Sequence, residues 1–206
     1  MDNIFIEPKK KYYTGVGSRD TPAYILAIMS CLAGVLESSG FILRSGGAIG
    51  ADNAFENGVL NPENKMTFLT AALFRHNRKN ELYSQDQLIN ARMFISQNNI
   101  HPIWDRLPTH HKELHTRNTF QVLGVNMNEA SNFTVCWTPD GAINFDDCTR
   151  KTGGTGTAIK ISAYHNIPVF NLRVESHLRR ILSYIKNKIS TEKFDKIVGN
   201  IPNFSF

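Results

Sequence analysis

Two glycine-rich turns, each at the start of a predicted helix, contain the residues of this sequence best suited to chemistry. The first spans residues 44–52 after an apolar run, and the second spans residues 152–158. A glycine-rich turn at a helix start leaves backbone N–H groups free to bind an anion, with the positive end of the helix dipole behind them. Two such turns in one small domain predict a site for an anionic ligand, with phosphate as the favoured group.

The second turn is the strongest candidate for binding phosphate. Gly153, Gly154 and Gly156 free the backbone, while Thr155 and Thr157 add hydroxyl groups. The turn is not a Walker A loop, because no Gly-Lys-Ser/Thr follows, and its GGxG spacing differs from the GxGxxG dinucleotide fingerprint. The alternative is a glycine turn that serves only close packing between helix and strand.

The first turn adds carboxylates to the predicted site. Ser45, Gly46 and Gly47 would let a ligand approach the backbone closely. Asp52 and Glu56 follow on one face of a helix, one turn apart. We expect Asp52 to bind a ribose hydroxyl or to act as a carboxylate on the sugar; alternatively it stabilises the helix dipole.

Two further groups are candidates for ligand contact. Gly17, Ser18 and Arg19 follow the first predicted strand, and the guanidinium would pair with phosphate through two hydrogen bonds. Arg117 and Asn118 begin a predicted helix and would also face the ligand. The alternatives are an ordinary strand-to-helix connection and a pair of residues at a helix end.

Four histidines lie close together in the sequence, at His101, His110, His111 and His115. Neighbouring histidines on a helix point apart, so this spacing does not predict a metal site. We expect no metal and no cofactor, and only His101 and His115 are candidates for ligand contact. The three cysteines have no metal-ligand spacing and indicate reduced thiols in an intracellular protein.

Length and composition predict one domain over residues 1–206, with a core at about 12–172 and a C-terminal helical extension at 173–206. A net charge of +5 permits a nucleotide or nucleic-acid partner without requiring one. No apolar run reaches the roughly 20 residues of a membrane span, and the first residues do not resemble a signal peptide. We therefore expect a cytoplasmic protein with no membrane partner.

The predicted elements alternate between short apolar strands and helices. Strands are predicted at 12–16, 41–45, 65–69, 133–137 and 168–172, and helices at about 22–39, 51–57, 85–97, 118–128, 155–164 and 177–189. Residues 98–113 read as a loop. This alternation predicts an α/β, Rossmann-like domain whose mainly parallel sheet has helices on both faces. The turns after Val16, Leu43 and Trp137 should therefore meet at the carboxyl edge, where ligands bind.

These motifs together resemble the SLOG superfamily of Rossmann-like proteins. Gly17-Ser18-Arg19 and the stretches 45–48, 50–52 and 54–56 are similar to its DprA (Smf)-like branch. The later stretches 114–118, 121–124, 137–141, 152–161 and 167–172 are similar to short DprA-like proteins common in phage genomes. The resemblance covers residues 12–172. It implies a nucleotide-binding domain, a homo-oligomer (a dimer) and, for a phage-encoded protein, a place in the host cytoplasm.

A second branch of the superfamily, the LOG phosphoribohydrolases, offers a further resemblance. Arg117 matches an arginine of that branch, and residues 153–157 match its PGGxGTxxE motif, with Thr152 in the proline position. The position of the catalytic glutamate is Lys160 here. A lysine there would oppose the oxocarbenium-like state through which N-glycosidic bonds break.

Three functions follow from these patterns. The leading hypothesis is a protein that binds a nucleotide or nucleotide-derived ligand as a sensor, sequestering protein or carrier. The second is a nucleotide N-glycosidase, a hydrolase in which Arg117 positions phosphate and Asp52 or Glu56 acts on the sugar. The third is DprA-like binding of single-stranded DNA in recombination, which would weaken steeply with salt.

Overall fold

The computed structural model describes residues 9–70, 83–202 and 204, and these residues form one five-stranded sheet. The strands are β1 (Lys11–Gly15), β2 (Phe41–Ser45), β3 (Lys65–Thr67), β4 (Phe133–Cys136) and β5 (Val169–Asn171). Their order is β3-β2-β1-β4-β5, and every pair is parallel. The predicted α/β, Rossmann-like fold is confirmed.

Helices cover both faces of the sheet. They are α1 (Ala23–Ser38), α2 (Ala51–Gly58), α3 (Gln85–Gln97), α4 (Thr109–Leu123), α5 (Thr155–Tyr164), α6 (Glu175–Lys186) and α7 (Thr191–Val198). One core joins the sheet to α1, α2, α6 and α7, and a second joins it to α3, α4 and α5. Val135 belongs to the first core and the next residue, Cys136, to the second. The strands are therefore apolar on both sides, as parallel strands are when both faces are buried.

The strand order changes direction between β1 and β4, which lie side by side at the centre of the sheet. The chain leaves β1 toward β2 on one side and leaves β4 toward β5 on the other. The turns that follow β1 and β4 lie side by side where they begin, because the Ser18 N–H donates to the Trp137 carbonyl at 3.1 Å. Such a switch point opens a crevice at the carboxyl ends of the strands.

The boundaries of α4 correct the sequence interpretation. Residues 98–113 were expected to form a loop and residues 118–128 a helix, whereas α4 already begins at Thr109 and ends at Leu123. Arg117 and Asn118 therefore lie in the interior of α4 and not at its start, and both are buried. Because both residues lie inside the helix, the packing of α4 as a whole determines where their side chains lie.

Two residues set these boundaries. Pro108 precedes the first helical residue with φ −57°, the conformation that a proline ring imposes and that suits a helix start. Gly124 follows the last helical residue with φ 75°, which ends the helix. The polar, histidine-rich first turns of α4 lack the apolar period that identifies a helix in sequence.

Arg44, at the end of β2, fixes the loop that follows α4. Its side chain is fully buried, with the guanidinium carbon 3.7 Å from the centre of the Tyr12 ring. The guanidinium donates to the Glu129 carbonyl and forms an ion pair with the Glu129 carboxylate at 3.5 Å. Arg44 therefore helps to hold α4 against the sheet. Among the described helices, none has both the length and the apolar character of a membrane span.

Candidate ligand-binding site

A cavity of about 900 Å³ opens at the switch point between β1 and β4. Its walls come from the turn after β1, the start of α2, one side of α4, the loop after β4 and the start of α5. The volume is at the upper end of the range of about 300–1,000 Å³ that is usual for small-molecule sites. The cavity lies where ligands of open α/β sheets bind.

The start of α5 forms the wall of this cavity best suited to an anion. Gly153 has φ +63°, and a Cβ atom built on Gly153 or on Gly154 would meet nothing within 4 Å. Among the described residues, no side chain caps the N-terminus of α5. The Gly156 and Thr157 N–H groups donate to the Gly153 and Gly154 carbonyls within the turn, which leaves the N–H groups at the helix start itself available to a ligand. Asn118, from α4, donates to the Gly154 carbonyl at 2.9 Å and holds the turn in place.

Asp140 holds the chain that leads into this turn. Its Oδ2 accepts hydrogen bonds from the hydroxyls of Thr149 at 2.6 Å and Thr152 at 2.5 Å. Burial raises the pKa of Asp140, but these hydrogen bonds, together with contributions from Thr138 and the Ala142 backbone, outweigh it and lower the pKa to about 2. The sequence analysis missed this anchor. The Thr149-x-x-Thr152 spacing was a usable signal, because the two threonines form a capping box.

Arg117 is the central cation of the cavity wall. The residue is only 8% exposed, and its Nη1 donates to the Gly46 carbonyl at 2.8 Å. Its Nε is buried and has no hydrogen-bond partner in the described structure. The Arg117 guanidinium lines the cavity, and a guanidinium group can pair with an anion through its remaining N–H groups.

Asp52 is a buried carboxyl group in the first turn of α2, with 3% of its surface exposed. Burial raises its pKa to about 6; Glu56 adds to the rise, whereas Arg117 and backbone N–H groups oppose it. One of these N–H groups, that of Ala48, donates to Oδ2 at 3.3 Å. Asp52 can therefore gain or lose a proton near neutral pH, as a general acid or base must.

Positive charge predominates on the cavity wall. Among the described lining residues, the Arg and Lys side chains are Arg19, Arg117, Arg150, Lys151 and Lys160, and the carboxylates are Asp20 and Asp52. This excess attracts an anion and raises its local concentration. The sequence analysis missed Arg150 and Lys151, although they directly precede the second glycine turn.

Most of the residues expected in the site do line this cavity. They are Gly17, Ser18, Arg19, Asp52, Arg117, Asn118, Gly153, Gly154, Thr155, Gly156 and Thr157. Ser45, Gly46, Gly47 and Glu56 are not among the lining residues. Two side chains of α4 approach Gly46 closely, because a Cβ atom there would lie 2.4 Å from the Gln121 amide nitrogen and 2.6 Å from the Arg117 guanidinium carbon. The absence of a side chain at Gly46 thus leaves room for Arg117 to donate to the Gly46 carbonyl.

Two glycine-turn residues after β1 have local structural partners as well. A Cβ atom on Gly17 would lie 2.6 Å from the Ala51 Cβ, so this glycine allows α2 to pack against the end of β1. The Ser18 hydroxyl accepts from the Asp20 N–H at 3.1 Å, and its carbonyl accepts from the Thr21 hydroxyl at 2.7 Å. Arg19 is exposed and lines the cavity.

Two histidines complete the wall on the α4 side. The rings of His101 and His115 are 4.4 Å apart between centroids. The Nδ1 atom of His115 is 2.6 Å from the Thr157 hydroxyl, at the start of α5. Burial lowers the pKa of His115 to about 4, and the neighbouring His101, His111 and Arg117 contribute to this effect. His115 is therefore a neutral ring at physiological pH.

Within the part of the chain that the structure describes, no group of three or more His, Cys, Asp or Glu residues could hold a metal ion. Comparison of the chain with protein-family models, with curated proteins and with solved structures finds no match. Function must therefore be argued from the geometry and charge of the cavity.

Proposed function

We propose that this protein binds a nucleotide or nucleotide-derived ligand in the cavity, as a sensor, sequestering protein or carrier. One observation carries the proposal: the open glycine turn at the start of α5 and the buried, incompletely paired Arg117 line the same cavity. A phosphate fits both, since helix N-termini and guanidinium groups are the two common protein partners of that anion.

The rest of the cavity supports a ligand larger than inorganic phosphate. A volume of about 900 Å³ leaves room for a sugar and a base beside the anion. Asp52 offers a carboxylate for a ribose hydroxyl, the role that an acidic residue has in Rossmann dinucleotide sites. The resemblance to SLOG proteins, stated above from the motifs, agrees with this assignment.

A thermal-shift screen tests the proposal. Purified protein is heated with nucleotides, cyclic dinucleotides, ADP-ribose compounds and short single-stranded DNA, because a ligand of the native state raises the Tm by mass action. The Gly154→Val variant should fold normally, since nothing lies within 4 Å of the added Cβ, yet lose the shift. Leu60→Val, at a residue that is 86% exposed and outside the cavity, is the control.

The screen separates the possible results. A small-molecule shift that Gly154→Val abolishes and Leu60→Val retains supports the proposal. An unchanged shift in a folded Gly154→Val protein contradicts the assignment of the α5 turn. A shift with DNA alone, falling steeply with salt, favours the DprA-like alternative.

A second candidate function, nucleotide N-glycosidase activity, is favoured by the buried Asp52 and its pKa of about 6. In such a reaction water adds to C1′ of the ribose, the bond from C1′ to the base nitrogen breaks, and the base leaves with a proton. An ionised Asp52 would accept the proton of the attacking water while Arg117 holds the phosphate. Mass spectrometry of the screen mixtures tests this candidate: free base should form with the wild type and not with Asp52→Asn.

A further inference from the structure

The cavity wall is less polar along the segment that connects α3 to the middle of α4 than elsewhere. Here the lining side chains are apolar or imidazole, including Ile100, Ile103, Leu107 and Leu114 beside His101 and His115. The lining residues from the turn after β1, the loop after β4 and the start of α5, by contrast, supply glycines, hydroxyls and charges. A wall of apolar side chains and flat rings suits a heteroaromatic group, which is apolar on its faces and polar at its edge.

The two imidazoles are held in a defined arrangement. Their ring centroids are 4.4 Å apart with a tilt of 54° between the planes, and the 2.6 Å contact from His115 Nδ1 to the Thr157 hydroxyl fixes the second ring. Thr157 belongs to the first turn of α5, which lines the proposed phosphate site. The histidine pair is therefore connected directly to the place where the anion would lie.

His101 contains an unsatisfied polar atom. Its Nδ1 is buried and has no hydrogen-bond partner in the described structure. Native proteins satisfy nearly all such atoms, and an exception calls for a functional explanation or a partner from outside the chain. The residue also lines the cavity, so its ring is placed where a ligand can contact it.

We propose that His101 and His115, with the apolar side chains beside them, form a subsite for a nucleobase. The inference rests on the proposed nucleotide binding and extends it: the ligand class is a nucleotide and not a sugar phosphate or an inorganic anion. His101 supplies a ring face and a hydrogen-bonding nitrogen to the base. His115 is a positioning residue, which supports the His101 ring and joins it to Thr157.

Calorimetric titration with two kinds of probe tests this subsite. The four nucleoside 5′-monophosphates carry a base, and ribose 5-phosphate has the same sugar and phosphate without one. The wild type should bind at least one monophosphate more tightly than ribose 5-phosphate by about tenfold or more, the usual effect of stacking one base. His101→Leu should remove about tenfold of monophosphate affinity and leave ribose 5-phosphate within about twofold.

Two further variants separate the role of the ring nitrogens from that of the flat ring and provide a control outside the cavity. His101→Phe keeps a flat ring and removes the nitrogens, so it should retain affinity for monophosphates but discriminate less among the four bases. His165→Leu, at an exposed histidine outside the cavity, should behave as the wild type. Circular dichroism confirms that each variant is folded.

The outcomes distinguish failure of the subsite from failure of the proposed function. If the wild type binds ribose 5-phosphate as tightly as every monophosphate, or if His101→Leu weakens both kinds of probe equally, the histidines do not bind a base, although phosphate binding stands. If the wild type binds neither kind of probe, nucleotide binding and the base subsite are both overturned.

Discussion

Arg117 donates a hydrogen bond of 2.8 Å from its guanidinium to the carbonyl of Gly46, 71 residues earlier in the chain. This contact joins the middle of α4 to the turn after β2, and it orients the guanidinium that lines the cavity. The first glycine turn thus contributes to the candidate site through an arginine that it positions.

The contact predicts the effect of Gly46→Ala. The new Cβ would lie 2.6 Å from the Arg117 guanidinium carbon and 2.4 Å from the Gln121 amide nitrogen, so buried side chains must move. We expect a loss of about 1–3 kcal/mol in the free energy of unfolding and weaker ligand binding. Urea denaturation measures the first effect and calorimetry the second. Gly154→Ala, which adds a methyl group in open space, is the control for stability and should unfold as the wild type does. Leu60→Val, outside the cavity, is the control for binding.

Arg117→Lys tests whether the guanidinium itself recognises the ligand. Lysine retains the charge but lacks the planar fork that binds a phosphate while also bonding the Gly46 carbonyl. We expect phosphate-bearing ligands to bind about ten- to a hundredfold more weakly, the usual effect of losing a charge-assisted hydrogen bond. A lysine variant that is folded and binds with wild-type affinity would show that the guanidinium fork does not recognise the ligand.

Asp52→Asn should change the pH dependence of stability. The folded state raises the pKa of Asp52 from 3.8 to about 6, so the unfolded chain releases its proton more readily. Wild-type stability therefore falls as the pH rises from about 4 to about 6, by up to about 3 kcal/mol from this group. The asparagine variant has no such loss. Denaturant titrations of both proteins from pH 4 to pH 8 measure the difference.

The sign of that difference is the decisive result. The stability of Asp52→Asn relative to wild type should rise between pH 4 and pH 7 and stay constant above. A pH-independent difference would mean that Asp52 has an ordinary pKa in the folded protein, which would remove the main support for its role as a proton acceptor.

Asp140→Asn should destabilise the turn before Gly153. The charged carboxylate accepts from two threonine hydroxyls, and its loss should cost about 1–3 kcal/mol at pH 7. Because folding lowers the pKa of Asp140 to about 2, its contribution is present above the unfolded value of 3.8 and is lost as the pH falls through 2. Wild type and variant should therefore converge in acid, which unfolding curves at pH 7 and near pH 2 would show.

The sheet was predictable because its signals are local. Each strand is a short apolar run, and parallel strands buried on both faces show that pattern without reference to their partners. The start of α4 was not predictable in this way. Its first turns carry His110, His111 and other polar residues, and the helix is stabilised by packing of its later, buried half, which lies far away in sequence from the sheet residues it covers.

In the candidate site, too, features set by local sequence were predictable and contacts between distant segments were not. The glycine turn at Gly153 and the acidic residue Asp52 were identified by local spacing, and both line the cavity. The pairing of Arg117 with Gly46 and of His115 with Thr157 depends on how α4 packs between the two turns. Such contacts between distant segments leave no periodic signal in one sequence.

The anchoring of Thr149 and Thr152 by Asp140 has a consequence for the speed of binding. Since these hydrogen bonds are made within the protein alone, the turn is ordered before any ligand arrives. A ligand then loses little conformational entropy of the chain on binding, and no folding of the turn limits its arrival. Association should thus occur in a single kinetic phase whose rate rises in proportion to ligand concentration, accelerated at low ionic strength by the cations around the cavity mouth.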